Sequence, residues 1–135
     1  MKRNRLIYAV AIIALIVLGL LSRRFSSLLP VVFGKYPGDA LWALMVFCGI
    51  GFLHPKLKTI FTAMIALAFS CAVEFLKLYH SPWIESFRAT LAGRLVLGSV
   101  FSWKNIAAYA IGVLFGWAME IGIQKCRNGH RPPRQ

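Results

Sequence analysis

Residues 69–98, FSCAVEFLKLYHSPWIESFRATLAGRLVLG, begin as a strongly apolar segment and end as a loop that carries several charged side chains. Glu74 lies in the last turns of the apolar part, and an ionisable residue inside a membrane span is costly enough to indicate a site. Ser70 and Lys77 stand four residues before and three residues after Glu74, so on a helix each shares a face with it. The stretch therefore predicts the end of a transmembrane helix with a polar site near the membrane surface.

The composition of the whole chain requires a membrane. Hydrophobic residues make up 59% of the 135 residues and the mean hydropathy is +0.67, whereas soluble domains hold about 45–50% apolar residues. Sixteen Lys and Arg stand against four Asp and Glu, for a formal net charge of +12. Because the basic residues lie mainly between the apolar runs, they are typical of topology signals and lipid contacts and not of a nucleic-acid surface. We predict no nucleic-acid partner, no metal and no cofactor.

Four apolar runs predict an all-α integral membrane protein with a single four-helix membrane domain over residues 1–124. The predicted transmembrane helices cover about 6–21, 39–53, 59–79 and 105–123. Residues 26–33 and 90–101 are apolar but too short to cross, so the two external loops are predicted to contain interfacial or re-entrant segments. Residues 125–135 form a basic tail that is predicted to be disordered. Four crossings and a basic N-terminus place both termini in the cytoplasm.

This topology collects an excess of positive charge on the outer face, where insertion does not require it. The candidate ligand-binding residues there are Arg23, Arg24, Asp39, Glu74, His80, Arg88 and Arg94. Guanidinium groups match phosphate and carboxylate oxygens with paired hydrogen bonds, so the predicted ligand is an anionic lipid or glycan head group. Glu74 is predicted to be the counter-ion of these arginines, and a purely structural Glu–Arg pair is an equal alternative. Asp39 is either the N-cap of the second span or a buried acid that needs a cationic partner.

The fourth span has small and polar residues at steps of four. Gly112-x-x-x-Gly116 allows close helix contact, which we predict within the monomer more than between copies. A monomer and a helix-packed homodimer both stay open. Glu120 continues the same spacing, but its position near Lys125 indicates a solvated charge at the inner end. Tyr109 is assigned to the aromatic belt at the membrane surface.

Six segments carry a resemblance to known proteins: GDALWALMVF at 38–47, VEFLKLYH at 73–80, PWI at 82–84, RAT at 88–90, LG at 97–98 and AAYAIGVLFG at 107–116. They resemble a family of small bacterial four-span membrane proteins of unknown function and, more distantly, the VanZ-like membrane proteins. This resemblance implies a protein of the bacterial inner (cytoplasmic) membrane that belongs to the cell envelope.

The chain follows the VanZ-like pattern only in part. Glu74, Arg88 and the two spaced glycines match it. Lys77, Asn105 and Tyr109 stand where that pattern has Gln, Asp and Asn. The VanZ role, envelope-associated resistance to a glycopeptide antibiotic, is therefore not transferred to this chain.

Three functions follow as hypotheses. The first is a non-enzymatic envelope protein that contacts membrane lipids and holds an anionic head group with its outer arginines. The second is a membrane enzyme acting on a lipid-linked substrate, in which Glu74 is the candidate catalytic acid or base. The third is a small proton-coupled exporter that uses Glu74 as its membrane carboxylate.

Overall fold

The structure, a computed structural model, describes residues 3–28, 36–98 and 100–129. This part of the chain contains six α-helices: α1 (Arg5–Arg24), α2 (Tyr36–Leu53), α3 (Thr59–Leu76), α4 (Pro82–Ala89), α5 (Leu91–Val96) and α6 (Trp103–Gly129). A short 3-10 turn, Ser26–Leu28, follows α1. The rest of the predicted interfacial segment 26–33 lies outside the described residues.

Four of these helices, α1, α2, α3 and α6, are long and apolar enough to cross a membrane. Their mean hydropathies range from 1.4 to 2.4. The prediction of an all-α membrane protein with four transmembrane helices is confirmed. The segment 90–101 forms only the six-residue helix α5 and an irregular stretch among its described residues, so it is too short to cross.

Several helix ends differ from the predicted ones. α2 begins at Tyr36 because Pro37 is tolerated in a first helical turn, where no backbone donor is needed. The helix thus begins three residues before the predicted span 39–53, and Asp39 lies in its first turn and is not the N-cap of α2. α3 ends three residues earlier than predicted, at Leu76. α6 continues to Gly129, so residues 125–129 of the predicted tail are helical, while 130–135 lie outside the described residues.

α1 runs antiparallel to α2 and packs mainly against it. Gly38 at the start of α2 lies against Arg23 at the end of α1, and Gly51 near the end of α2 lies against Tyr8 at the start of α1. No residue of α1 is buried. The first span is thus a peripheral helix that relies on a single long neighbour for most of its packing.

α6 runs parallel to α2 and antiparallel to α3, and it packs on both. Ala40 and Leu44 of α2 meet Gly112 and Gly116 of α6 in the same order along both helices. The start of α6 lies beside the end of α3, where Glu74 is located. We call this end of the bundle the Glu74 end and the opposite end, where α1 and α3 begin, the Glu120 end. Both ends of the described chain lie at the Glu120 end.

The core lies between α2, α3 and α6. Small side chains alternate with larger ones, which lets helix backbones approach where no aqueous hydrophobic effect drives them together. The buried apolar residues of this cluster are Ala43, Phe47, Cys48, Ala63, Ala66, Tyr109 and Val113. The structure contains the predicted contact within the monomer: the α6 face with Gly112 and Gly116 packs against α2.

A graded response to added methyl groups is expected along α6. A Cβ at Gly112 would overlap the backbone carbonyl of Ala40, whereas a Cβ at Gly116 would meet side-chain atoms of Leu44, at 2.7 Å, and Phe47, at 2.9 Å. We expect Gly112→Ala to lower the free energy of unfolding by about 2–3 kcal/mol and Gly116→Ala by about 1 kcal/mol. Reversible unfolding in mixed detergent micelles measures both values.

Gly122→Ala is the matched control, because a Cβ at Gly122 meets nothing within 4 Å. Its expected effect is within about 0.5 kcal/mol of the wild type. Equal losses at Gly112 and Gly116 would contradict the packing of α2 on α6 described above.

Candidate functional site

Glu74 is completely buried, with 0% of its surface exposed, and both of its carboxylate oxygens are saturated with hydrogen bonds. Oε1 accepts from the backbone N–H of Ser102 at 2.8 Å and from Asn105 Nδ2 at 3.1 Å. Oε2 accepts from Tyr109 Oη at 2.8 Å and from Lys77 Nζ at 2.5 Å. A charge in a low-dielectric interior is tolerable only when it is paired and fully hydrogen-bonded, and this carboxylate meets both conditions.

The cation that pairs with Glu74 is Lys77 and not an arginine. Lys77 directly follows the last residue of α3, three residues after Glu74, and only 7% of its side chain is exposed. Gly98 makes room for the lysine: a Cβ there would lie 3.2 Å from Lys77 Cε, and its φ of +63° favours glycine. The prediction that Glu74 is the counter-ion of an arginine cluster is therefore wrong.

The partners from the start of α6 are placed by local packing. Asn105 and Tyr109 are four residues apart and share the buried face of α6. Phe75 and the ring of Phe101 stack at 5.6 Å, which holds the segment before α6 against the end of α3 and brings Ser102 to Glu74. Tyr109 is 4% exposed, so its assignment to the aromatic belt is also wrong.

Arg88 is buried and anchors α4 to the end of α3. Its Nη2 donates to the carbonyl oxygen of Leu76, one of the last carbonyls of α3, and its Nη1 donates to Glu85 Oε1 at 2.7 Å. This satisfies a helix-terminal acceptor that has no partner inside its own helix. The structural Glu–Arg pair considered from the sequence is not formed by Glu74, because Arg88 binds a backbone carbonyl and Glu85.

His80 is exposed and hydrogen-bonds to Glu85, with 2.8 Å between Nδ1 and Oε1. The hydrogen bond from His80, followed by that from Arg88, holds the pKa of the Glu85 carboxyl below its usual value. Glu85 therefore stays ionised beside both groups at neutral pH. His80 and Arg88 lie at the same exposed carboxylate, apart from the buried Glu74 network.

Asp39 and Arg23 lie beside the Glu74 network. Asp39 is buried in the first turn of α2. The preceding residue, Gly38, lies beside Arg23, because a Cβ added to Gly38 would be 3.7 Å from Arg23 Cγ. Both charged groups act electrostatically on Tyr109, which donates to Glu74. The structure thus brings together three of the residues predicted as one site: Arg23, Asp39 and Glu74.

An apolar groove of about 260 Å³ begins beside Arg23 and runs between α1, α2 and α5. Trp42 of α2 and Leu95 and Val96 of α5 contribute to its walls. Arg94 precedes Leu95 directly and is exposed, as are Arg23 and Arg24.

A second buried carboxylate, Glu120, occupies the opposite end of the bundle. Its side chain is 8% exposed and forms an ion pair with Arg3, at 2.7 Å between Nη2 and Oε1. The same oxygen accepts from Thr59 Oγ1 at 2.7 Å and from Gln124 Nε2 at 3.1 Å, while Oε2 accepts from Tyr8 Oη at 2.7 Å. The prediction that Glu120 is a solvated charge is wrong.

Arg3 joins three separate segments through this network. Besides Glu120, it donates to Thr62 Oγ1 at 3.0 Å and to the carbonyl oxygen of Leu57 in the loop between α2 and α3. The fixed fork of a guanidinium group suits such a junction. The sequence indicates Arg3 only as a topology signal, and nothing in its local sequence indicates a partner 117 residues away.

A signal for Glu120 does exist in the sequence. Ala108, Gly112, Gly116 and Glu120 follow at steps of four, and the first three face the core. Residues at this spacing lie on one helix face, so Glu120 belongs to the buried face as well. The nearby Lys125 in the sequence favours a solvated Glu120, whereas the spacing of four favours a buried one.

No three His, Cys, Asp or Glu side chains form a possible metal site within residues 3–28, 36–98 and 100–129. The absence of a metal and of a cofactor stays a prediction.

These features define a multi-pass α-helical membrane protein whose described residues include a buried ion pair at each end of the bundle. The chain belongs to the family described as "Protein of unknown function (DUF2809)", which it matches over residues 28–113. The matched range contains Glu74 and all four of its partners, whereas Arg3 and Glu120 lie outside it. No solved structure matches this chain. The resemblance to VanZ-like proteins stays a prediction.

Proposed function

We propose that this protein is a membrane protein of the bacterial cell envelope that binds an anionic lipid or glycan head group at its Glu74 end. The observation that carries the proposal is the apolar groove of about 260 Å³ with Arg23 at its border. Exposed arginines beside an apolar groove are complementary to an amphiphile with a negative head group. Arg94 and Arg24 supply further positive charge near the same border.

The hydrogen bonds of Glu74 and Arg88 hold in place the helices that form the groove. Glu74 ties the start of α6 and the segment before it to the end of α3, and Arg88 ties α4 to the same helix end. α4 leads directly into α5, which forms one wall of the groove. Because Glu74 is neutralised internally by Lys77, it leaves the exposed arginines available to an external anion.

The proposed location is the inner membrane with both termini in the cytoplasm. Both ends of the described chain lie at the Glu120 end, as an even number of crossings requires. The N-terminal basic residues next to α1 favour the cytoplasmic side for that end. The head-group site at the Glu74 end would then face outward.

The enzyme and exporter hypotheses have less support. A general acid or base must reach its substrate, and a transport carboxylate must exchange its proton with water. Glu74 is 0% exposed, and each of its oxygens already accepts two hydrogen bonds. The Glu74 network is better suited to holding helices together than to exchanging protons.

Binding of lipid vesicles or nanodiscs tests the head-group site. We expect the purified protein to prefer phosphatidylglycerol over phosphatidylcholine, and Arg23→Gln or Arg94→Gln each to weaken this preference about fivefold at low salt. The preference should fall as ionic strength rises, since exposed charges are screened.

Lys125→Gln is the matched control, because Lys125 is an exposed cation at the Glu120 end. It should leave the preference at the Glu74 end unchanged. A protein with no preference for the anionic lipid, or a loss that is equal for all three substitutions, would refute a specific site.

A further inference from the structure

Glu120 lies between two cavities, and the donors to its two carboxylate oxygens line different ones. Arg3, Thr59 and Gln124, the donors to Oε1, all line a cavity of about 440 Å³ at the start of α3. Tyr8, the donor to Oε2, lines a separate groove of about 380 Å³ between α1, α2 and α6. Glu120 itself borders both cavities.

The groove between α1, α2 and α6 has the size and lining of a small-molecule site. Ligand pockets are commonly about 300–1,000 Å³ and mostly apolar, with a few polar groups that orient the ligand. Its walls include the aromatic rings of Tyr8, Phe47 and Phe115 and the thioether of Met119, and among the described residues that line it Glu120 is the only charged one. A ligand in this groove would therefore meet aromatic faces and a carboxylate whose charge is shared with Arg3.

Oε2 of Glu120 retains acceptor capacity on the groove side. Arg3 binds Oε1 through both Nε and Nη2, while the hydrogen bond to Oε2 comes from Tyr8 at 2.7 Å. A carboxylate oxygen accepts about two hydrogen bonds, so Oε2 can take a second partner. That partner would share the carboxylate with Arg3, which approaches from the other cavity.

The groove is open toward the hydrocarbon side of the bundle. Phe115 and Met119 at its wall are more than half exposed, and Ala14 on α1 is exposed as well. In a membrane this surface faces lipid chains, so a ligand that enters must be lipophilic as well as charged.

We propose that this groove binds a lipophilic monocation, with the cationic centre beside Oε2 of Glu120 and the apolar body against Tyr8, Phe47 and Phe115. Cations are attracted by carboxylates and by the faces of aromatic rings, and both kinds of group converge here. The site lies at the Glu120 end, and it is independent of the head-group site at the Glu74 end.

Tetraphenylphosphonium and tetraphenylborate form a matched pair of probes, since they share size and shape but have opposite charge. Isothermal titration of the full chain in neutral maltoside micelles, corrected for partition into empty micelles, measures both affinities. We expect saturable binding of tetraphenylphosphonium at one site and binding of tetraphenylborate at least about tenfold weaker. Equal binding of the two ions would overturn the proposal.

Three substitutions locate the cation. Glu120→Gln should weaken tetraphenylphosphonium binding about tenfold. Ala14→Trp fills the groove from the exposed surface of α1 without touching the ion pair, and it should weaken binding by a similar factor. Glu85→Gln, which removes an exposed carboxylate at the other end, should have no effect. If Glu120→Gln fails to fold, Ala14→Trp decides alone: unchanged affinity in that variant places the cation elsewhere and refutes the site.

Discussion

Replacing Glu74 by leucine is expected to lower the free energy of unfolding by about 3–5 kcal/mol, the range for breaking a buried ion pair from one side. The substitution leaves the Lys77 ammonium buried without its acceptor. It also removes the acceptor of the Ser102 N–H, the Asn105 amide and the Tyr109 hydroxyl. Each buried donor without a partner adds to the loss. Unfolding in mixed micelles, followed by circular dichroism, measures the change.

Glu74→Gln separates the charge from the hydrogen bonds. The amide oxygen can still accept from Ser102 and Asn105, whereas the attraction to Lys77 is lost. We expect a smaller loss, of about 1–3 kcal/mol. In a cell-based assay, activity that survives Glu74→Gln but not Glu74→Ala would likewise assign Glu74 a hydrogen-bonding role and not a proton-transfer role.

The double variant Glu74→Leu with Lys77→Met provides the internal control. Replacing both members of a buried ion pair by apolar residues is often nearly neutral, so the pair should recover about 2 kcal/mol relative to the sum of the single losses. Strictly additive losses would show that Lys77 and Glu74 do not act as a pair. A neutral Glu74→Leu variant would contradict the network as a whole.

Replacing Arg3 by methionine is expected to cause a loss of similar size, about 3–5 kcal/mol. Arg3 is 7% exposed, and its removal leaves the buried Glu120 carboxylate without its cation. Thr62 and the Leu57 carbonyl lose a donor at the same time. Arg3→Lys should recover only part of the stability, because an ammonium cannot reproduce the three directions of the guanidinium fork.

Arg5→Met is the matched control two residues away. Arg5 is exposed, and its guanidinium lies 5.9 Å from the centre of the Phe52 ring. Loss of this exposed contact should change the free energy of unfolding by about 0.5–1 kcal/mol at most. Equal effects of the two substitutions would mean that N-terminal charge, and not the buried junction, stabilises the bundle.

The Arg3 variant should also loosen α1 before the rest of the bundle unfolds. α1 has no buried residue, so the Arg3 junction contributes a large share of the contacts that hold its first turn. Local opening follows such differences in contact density. Tryptic cleavage after Arg5 should therefore be faster in Arg3→Met than in the wild type under conditions where far-UV circular dichroism is unchanged.

Much of the architecture could be predicted from residue order. Hydropathy and helix length alone placed four spans close to their observed ends, because each span must satisfy its own backbone inside the membrane. The i, i+3 spacing placed Lys77 on the face of Glu74, and the paired glycines indicated a close contact within the monomer. Both spacings lie within one helix, so the sequence of that helix is enough to predict which of its residues share a face.

The wrong predictions concern partners that are distant in sequence. The number of arginines on the same predicted side favours an arginine as the partner of Glu74. In the structure, the donors to the Glu74 carboxylate are Lys77 and groups at or just before the start of α6. Glu120 was assigned to solvent because of its sequence neighbours, yet it pairs with Arg3 at the other end of the chain. Counting charges along a chain says little about which charges meet.

The sequence by itself therefore determined the class of this protein, its four spans and the position of an acid, Glu74, within an apolar helix. Only the tertiary structure decided the partners of Glu74 and Glu120. The physical reason is that hydropathy adds up the free energy of transferring each residue of a segment into the membrane. This sum does not depend on how the helix is rotated about its own axis. A buried carboxylate must find donors in three dimensions, and which donors it finds depends on how antiparallel helices are rotated and paired.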